Sequence, residues 1–198
     1  MGLTLEYLEG QTPLEEDEKA GLKIRTISTR RDLDEFEQKN IERAIEWTLR
    51  KKIAADKILS EEFMMEVHRR MFGSVWSWAG KMRKTNKNIG VDKSIISVEL
   101  RQLLDDCTYW IDHKTYQPDE IAIRFKHRLV KTHLFPNGNG RHSRLCADIL
   151  ISNVFNLPVF TWGTSNLTTN TASRKNYLDA IHQADDGLYK PLISFARS

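Results

Sequence analysis

The sequence lacks the features that mark secreted, zinc-binding and membrane proteins. Cysteine is rare: the only two are Cys107 and Cys146, and their spacing matches no metal site. Both lie in apolar segments of helical pattern, which indicates buried thiols in a reducing compartment rather than a disulfide. No basic N-terminal region precedes an apolar run, and no stretch approaches the roughly 20 apolar residues of a membrane span. We therefore expect a soluble, cytoplasmic protein without a membrane partner.

An excess of one charge is also absent. Lys and Arg together number 30 and Asp and Glu 27, so the net charge is only +3. This balance argues against nucleic acid as a partner, although the basic cluster Lys81–Lys87 keeps a helical nucleic-acid binder open as an alternative. Apolar residues make up 40% of the chain, which suffices for one sizeable core. We predict an N-terminal arm over residues 1–28 and a single domain over residues 29–198.

Apolar periodicity predicts an all-α fold of six or seven helices. The first begins after Thr29, which forms a capping box with Asp32. Its predicted inward residues are Leu33, Phe36, Ile41, Ala44, Ile45 and Leu49, and Glu37 falls on the same face. Further helices are predicted over residues 60–73 and about 97–113, from Pro118, over about 139–153, and from about Ser173, with a loop over 157–171.

Residues 81–96 break this helical rhythm. Gly90 and its Asn and Asp neighbours indicate a turn between two short extended pieces, which would form a small β-hairpin. A plain surface loop is the alternative.

A stripe of apolar residues points to His133. Ile121, Phe125 and Leu129 step by four along the predicted helix that begins at Pro118, and His133 is the next step. The helix would therefore place His133 at the buried end of its apolar face.

The segment 133–144 combines a base with an anion site. Gly138 and Gly140 can take positive φ and bring backbone N–H groups to a ligand at the start of a helix. Arg141 and Arg144 add charge-assisted hydrogen bonds that suit a polyphosphate. A neutral imidazole at His133 can take a proton from a hydroxyl.

Each of these features also has a plain structural interpretation. The histidine could be a core residue, the glycines an ordinary turn, and the arginines surface charges, with Arg144 paired to Asp148. Together, in order within twelve residues, they favour a phosphate-transfer site.

This segment resembles the signature of the Fic family, H-x-F-x-[D/E]-G-N-G-R-x-x-R. The matching residues are His133, Phe135, Gly138, Asn139, Gly140, Arg141 and Arg144, and only Asn137 departs. The wider chain resembles a Fic domain, in particular the subgroup called mobile mystery protein B. The resemblance implies an all-α Fic-type helical bundle with a small β-hairpin flap.

The resemblance also implies an activity, the transfer of AMP from ATP to a Ser, Thr or Tyr hydroxyl of a target protein. His133 would be the general base, and Asn139 with the backbone of Gly138 and Gly140 would hold the phosphates. Arg141 and Arg144 would bind the β/γ end of ATP. The flap would dock the target as an added strand; its candidate residues are Lys87, Asn88, Ile89, Gly90 and Val91. An antitoxin or another regulatory partner fits the same picture.

Two residues, Asn137 and Glu37, leave the predicted activity open. Asn137 stands where the family has the Asp or Glu that holds Mg²⁺, so this ion should bind more weakly or depend on the nucleotide phosphates. A Fic-fold phosphotransferase, or a catalytically weak nucleotide-binding module, therefore remains an alternative. Glu37 could engage Arg144 and inhibit the enzyme by blocking the γ-phosphate, or it could simply be satisfied by another cation.

Overall fold

The computed structural model describes residues 12–49, 52–163 and 171–198 of the chain. Parts of two predictions, the arm over 1–28 and the loop over 157–171, therefore lie outside the described residues, at positions 1–11 and 164–170.

Within the described residues the fold is helical. The helices, in chain order, are α1 (Glu16–Lys19), α2 (Arg30–Leu49), α3 (Ala55–Ile58), α4 (Glu61–Phe72), α5 (Ile96–Asp112), α6 (Pro118–Thr132), α7 (Asn139–Phe155), α8 (Thr171–Asp185) and α9 (Lys190–Arg197). A short 3₁₀ turn, Lys93–Ile95, leads into α5. Helix α6 packs on both α5 and α7, α2 packs on α4, and α8 packs on α9.

Local sequence signals set several helix starts, as predicted. The Thr29 hydroxyl accepts a hydrogen bond from the backbone N–H of Asp32 at 3.1 Å, and the Asp32 carboxylate accepts one from the N–H of Thr29 at 3.0 Å. Ser60 caps α4 by accepting from the N–H of Phe63, and Pro118 is the first residue of α6. These short-range contacts satisfy backbone donors that the first helical turn leaves unpaired.

The core lies along α6 and α7, which are joined by residues 133–138. The α6 stripe of Ile121, Phe125 and Leu129 is buried as predicted, and Leu134 and Phe135 continue the core beyond the helix. Both cysteines are buried and unpaired, and burial raises the pKa of Cys107 to about 12. The segment between the two helices is therefore held in place by its own buried side chains, Leu134 and Phe135.

Two of our predictions on helical packing were incomplete. On α2 the buried face is Leu33, Glu37, Asn40, Ala44 and Thr48. Phe36, Ile45 and Leu49, predicted to point inward, are 38, 40 and 74% exposed. A stripe chosen by hydrophobicity alone missed that the buried face of α2 includes polar side chains, with Glu37 bound to Arg141 of α7 and Asn40 bound to Ser74. Helix α9, at the end of the chain, was not predicted.

The predicted β-hairpin at residues 81–96 was wrong. These residues form bends and the 3₁₀ turn before α5 begins at Ile96, and the described residues contain only one isolated bridge, between Leu22 and Trp76. The physical reason is Arg83, whose guanidinium donates to the carbonyls of Thr85 and Val91. Carbonyls that a strand ladder would use are bound to a side chain instead.

The part of the arm that the structure describes packs on the domain. Leu14 and Ile27 are buried, and the indole N–H of Trp78 donates to the carbonyl of Glu18 in α1 at 3.0 Å. Among the described helices, none combines the length and the apolar character needed to cross a bilayer.

Phe135 gives a test of this core. Its ring is fully buried and stacks on His68 with 3.6 Å between ring centroids. We expect Phe135→Ala to lower the free energy of unfolding by ~3–5 kcal/mol, because a large buried ring leaves a cavity. Urea denaturation followed by circular dichroism measures it. Tyr109→Ala, at a ring that is 56% exposed, is the control and should change stability by no more than about 0.5 kcal/mol; equal losses would contradict the assignment of Phe135 to the core.

Candidate active site

His133 leaves α6 in an unusual backbone conformation. It is the residue after the helix, with φ 56° and ψ 64°, in the left-handed region. That region costs a residue with a Cβ roughly 1–2 kcal/mol, so other contacts have to hold it. The turn takes the chain sharply into the segment 134–138, and His133 itself is 3% exposed. The buried position expected from the α6 stripe is thus confirmed.

Arg83 supplies the contacts that hold this turn. Its Nε donates to the carbonyl of His133 at 2.6 Å, and its backbone N–H donates to the carbonyl of Leu134 at 2.9 Å. The rest of the guanidinium binds the carbonyls of Thr85 and Val91 in the loop 83–92. One buried cation therefore fixes both the backbone of His133 and the loop that covers it.

Among the described residues, the His133 ring has one hydrogen-bonding neighbour, at Nε2. Nε2 lies 3.3 Å from the hydroxyl oxygen of Thr12, whereas Nδ1 has no hydrogen-bond partner among the described residues. Burial lowers the pKa of His133 to about 4, and the charges of Arg83 and Lys87 act in the same direction. The imidazole is therefore neutral at pH 7, which is the state that can accept a proton.

Asn139 shapes the loop between His133 and α7. Its side-chain oxygen accepts from the N–H of Phe135 at 3.0 Å, and its amide donates back to the carbonyl of Phe135 at 2.8 Å. This ring of two hydrogen bonds closes residues 135–139 into a fixed turn. The side chain that was predicted to hold phosphate is thus bound within the loop, which leaves the backbone N–H of Asn139 as its contribution to an anion site.

His68 supports the same loop from α4. Its Nδ1 accepts from the N–H of Gly80 at 2.9 Å, so its Nε2 carries the hydrogen and donates to the carbonyl of Asn137 at 3.1 Å. Complete burial lowers the pKa of His68 well below its ordinary value, and His142 adds to this effect. His68 is therefore a neutral structural bridge.

The two glycines at the start of α7 have different surroundings. Gly138 has φ 77°, and a Cβ there would lie 2.7 Å from the ring of Phe72, so glycine is required by both conformation and packing. A Cβ on Gly140 would meet no atom within 4 Å. The first turn of a helix offers unpaired N–H groups and a partial positive charge. The space beside Gly140 is therefore open, whereas the space beside Gly138 is filled by Phe72.

The two arginines of the segment point to different neighbours. Arg141 donates to the carboxylate of Glu37 at 2.5 Å, and the other oxygen of Glu37 accepts from Trp76 Nε1 at 2.6 Å. Arg144 lies 5.6 Å from the ring centroid of Tyr177 on α8.

The predicted contact between Glu37 and Arg144 was therefore wrong. Residues three apart on a helix are offset by about 60°, and this offset turns Arg141 toward α2 and Arg144 toward α8. The alternative pairing of Arg144 with Asp148 is not found either: the carboxylate of Asp148 accepts from Phe160 and Trp162.

Asn137 does not fit a protein-held Mg²⁺. Its side-chain oxygen accepts from the N–H of Gly138 at 2.7 Å, and its amide donates to the carbonyl of Thr12 at 2.9 Å. In the part of the chain that the structure describes, no group of three His, Cys, Asp or Glu residues could hold a metal ion. A neutral, already bonded amide oxygen is a poor ligand for a hard cation that prefers carboxylates.

The candidate docking residues 87–91 lie directly above His133. A Cβ on Gly90, which has φ 100°, would come within 2.5 Å of the His133 Cβ. Lys87 forms a salt bridge with Glu18 of α1, and Ile89 is 45% exposed. The loop is thus held between the arm and the base, with one apolar side chain turned outward.

Sequence reasoning missed three residues of this site. Thr12 carries no local signal, Arg83 looked like one of several surface cations, and His68 fell within an ordinary apolar helix. Nothing in the sequence distinguishes Arg83 from the other cations of the basic cluster Lys81–Lys87, and only the structure shows that it is buried.

Fold and site together define a class: a helical domain in which a buried histidine precedes a glycine-bracketed helix start. Residues 58–151 match the model of the Fic/DOC family. Over 141 residues, or 69% of this chain, it is 26% identical to the protein adenylyltransferase fic-1 of Caenorhabditis elegans. The chain spans only 26% of that relative's length.

Solved structures show the same fold. The N-terminal FIC domain of the Bep8 effector from Bartonella sp. 1-1C superposes with a TM-score of 0.68, at 15% identity, with 90% of each chain covered. BepC of Bartonella tribocorum, solved with bound AMPPNP, gives a TM-score of 0.64 at 17% identity, covering 92% of this chain and 97% of that one. At these identities the likeness concerns the fold alone.

The protonation of His133 can be tested directly. Its imidazole should titrate with a pKa of about 4, because burial and nearby cations oppose its charge. Lys87→Gln should raise this pKa, since it removes one cation and leaves the Glu18 carboxylate nearby. Histidine NMR in wild type, with His133→Gln for assignment, measures both. The matched control is Lys84→Gln, at an exposed lysine of the same loop.

The same shift has a consequence for stability. The pKa of His133 in the folded protein lies below the ordinary value of 6.5. The contribution of the buried, neutral imidazole to the free energy of unfolding is therefore complete above about pH 6.5 and is lost as the pH falls toward 4. A His133 pKa near 6.5 in the folded protein would contradict its burial.

Proposed function

We propose that this chain is a protein adenylyltransferase that transfers AMP from ATP to a Ser, Thr or Tyr hydroxyl of a target protein. The observation that carries the proposal is that the neutral imidazole of His133 presents Nε2 at 3.3 Å from a hydroxyl oxygen. That hydroxyl belongs to Thr12, whose carbonyl accepts from the side-chain amide of Asn137. Asn137 lies three positions before Gly140, at the open start of α7. A base, an acceptor position and an anion site therefore meet within one short segment.

Each group has a role in this proposal. His133 takes the proton of the target hydroxyl, and proton transfer by a positioned side chain contributes typically 10²–10⁴-fold to a rate. The first-turn amides of α7 around Gly140 receive the phosphates, with Gly138 and Asn139 giving the loop its shape. Arg144 and, once it leaves Glu37, Arg141 neutralise the β/γ end. The C. elegans relative is named an adenylyltransferase and BepC was solved with an ATP analogue, which supports ATP as the substrate.

The target segment would dock on the loop Lys87–Val91 above His133. Because Arg83 occupies the carbonyls of Thr85 and Val91, docking would use side chains such as the exposed Ile89 rather than an added strand. Several predictions remain predictions: the extent of the domain over 29–198, a cytoplasmic location, an antitoxin or regulatory partner, and membership of the mobile mystery protein B subgroup. A role for Mg²⁺ is another, and in this proposal its oxygen ligands would come from nucleotide and water.

Label transfer tests the proposal. Incubation with α-labelled ATP and a cell lysate should attach AMP to protein, and His133→Ala should lower the rate by ~10²–10⁴-fold because the base is lost. The matched control is His113→Ala, at an exposed histidine that ends α5, and it should keep the wild-type rate. Mass spectrometry of the modified residue identifies the group transferred. An added phosphate in place of AMP would support the phosphotransferase, and ATP binding without any transfer would support the catalytically weak module.

Glu37 gives a second test, of how the site is regulated. In the resting structure its carboxylate holds Arg141, so ATP has to compete for that guanidinium. Glu37→Gln keeps an acceptor for Trp76 but removes the ion pair, and it should tighten ATP binding by ~10-fold, the ratio that ~1.4 kcal/mol gives. Calorimetry measures the affinity, and Glu35→Gln, whose partner is the exposed Arg31, is the control. Unchanged or weaker binding in Glu37→Gln would rule out an inhibitory role.

A further inference from the structure

A basic cleft opens between α2, the end of α4 and the segment 73–81. Its volume is about 450 Å³, and the cations that line it are Lys23, Arg43, Arg69, Arg70 and Lys81. None of the residues that line it, all in the described part of the chain, is Asp or Glu. The net charge of the whole chain is only +3, so five cations around one hollow mark a place that attracts negative charge.

Few of these cations are neutralised by the chain itself. The carboxylate of Glu66 forms ion pairs with both Arg69 and Arg70, so one negative charge serves two positive ones. None of the described residues forms an ion pair with Arg43 or Lys81, and both are exposed. Elsewhere in the described chain, several cations pair with a carboxylate one helical turn away: Arg30 with Asp34, Arg31 with Glu35 and Arg124 with Glu120. The basic cleft lacks counter-charges of this kind.

The floor of the basic cleft is neutral, and its buried polar groups are already bonded. Asn40, which is 5% exposed, donates to the carbonyl of Phe36 at 3.1 Å and accepts from the hydroxyl of Ser74 at 2.8 Å. The indole N–H of Trp76 donates to Glu37 at 2.6 Å. Neither buried donor is free to bind a small anion at the floor. The positive charge of the cleft therefore belongs to long, exposed side chains around it.

Charge and shape together favour an acidic protein segment as the occupant. A small ligand is usually held by a few convergent polar groups in a pocket, which this floor does not offer. Duplex DNA carries one charge per ~1.7 Å of its axis and needs an extended basic stripe, whereas only Lys81 of the basic cluster Lys81–Lys87 lines the cleft. Several carboxylates on one segment match exposed cations around a hollow, because arginine can bind a carboxylate through two hydrogen bonds.

The basic cleft lies beside the candidate active site. Lys81 precedes Arg83 by two residues, a span of at most ~7 Å, and Arg83 Nε donates to the carbonyl of His133 at 2.6 Å. On its other side, the floor adjoins Glu37, the carboxylate that binds Arg141 of α7. A protein whose hydroxyl reaches His133 is therefore close enough to place a neighbouring part of its chain in the cleft.

We propose that the basic cleft is a docking site for an acidic segment of the protein that receives AMP; this rests on the proposed function. The carboxylates of the segment bind the cations around the cleft, while the hydroxyl to be modified reaches His133. A second contact of this kind raises the effective concentration of the hydroxyl at the base. It also selects, among exposed hydroxyls, those that lie near an acidic stretch.

The first experiment measures binding in the full chain without ATP. The probe is a fluorescein-labelled oligoglutamate peptide, followed by fluorescence anisotropy at low salt. Wild type should bind the peptide, and its affinity should fall as salt is added. The double variant Arg43→Glu/Lys81→Glu should bind ~10-fold more weakly, because two attractive contacts become repulsive.

A charge-matched control separates the cleft from the net charge of the chain. Arg101→Glu/Lys190→Glu makes the same change of charge at two exposed positions, on α5 and α9, and should bind the peptide as wild type does. Equal weakening in the two double variants would overturn the cleft as the binding site. Tighter binding of an oligothymidylate of the same charge would indicate a nucleic-acid site, and displacement of the peptide by equimolar inorganic triphosphate a small-anion site. Either result would overturn the proposal.

The second experiment asks whether the same contacts serve AMP transfer. The rate of transfer from α-labelled ATP to lysate proteins is measured against lysate concentration. In Arg43→Glu/Lys81→Glu the half-saturating lysate concentration should rise ~10-fold, whereas the affinity for ATP, measured by calorimetry, should not change. Free oligoglutamate should compete with the lysate proteins in wild type, which tests the cleft without any substitution.

The outcomes separate this inference from the proposed function. Suppose that transfer depends on His133 but responds neither to the free peptide nor to the cleft substitutions. The inference would then be overturned, and the proposed function would stand. If no protein receives AMP in a His133-dependent reaction, both fail, whatever the peptide binds. Peptide binding and AMP transfer that both depend on Arg43 and Lys81 would support both.

Discussion

The geometry around His133 depends most on one buried guanidinium, that of Arg83. His133 leaves α6 with positive φ, a conformation that a side-chain-bearing residue adopts at a cost, and Arg83 stabilises it through the His133 carbonyl at 2.6 Å. Because the same group binds the carbonyls of Thr85 and Val91, the base and the loop above it form one unit. Burial lowers the pKa of His133 most, and the positive charge of Arg83 acts in the same direction, so this residue contributes to both geometry and protonation.

What could be predicted from the sequence was encoded over short distances. The cap at Thr29, the helix start at Ser60 and each step of the stripe ending at His133 depend on residues within about one or two helical turns, and the structure confirms them. The contacts that complete the site join residues far apart. Thr12 meets His133 across 121 positions, and Arg83 meets it across 50. No local pattern specifies such pairs, since each depends on how the helices pack.

The failed predictions have the same origin. Residues 81–96 carry real turn signals, but Arg83 removes two carbonyls that strand pairing would need, so the segment folds around a side chain. Glu37 was placed correctly on the buried face of α2, and only its partner was wrong, Arg141 instead of Arg144. Which face of a helix is buried follows from the spacing of residues along that helix. The pairing of two side chains depends in addition on how two helices are rotated relative to each other.

Asn137 links the chemistry of the site to the arm. A carboxylate at this position would favour a divalent cation, whereas the amide donates to the carbonyl of Thr12 and accepts from Gly138. A side chain cannot do both well, because the N–H group that holds Thr12 replaces an oxygen that would hold a metal. At position 137, the departure from the family signature therefore replaces a metal ligand with a contact to Thr12, rather than only removing the ligand. In this chain, Thr12, which Asn137 holds, contacts the imidazole of His133.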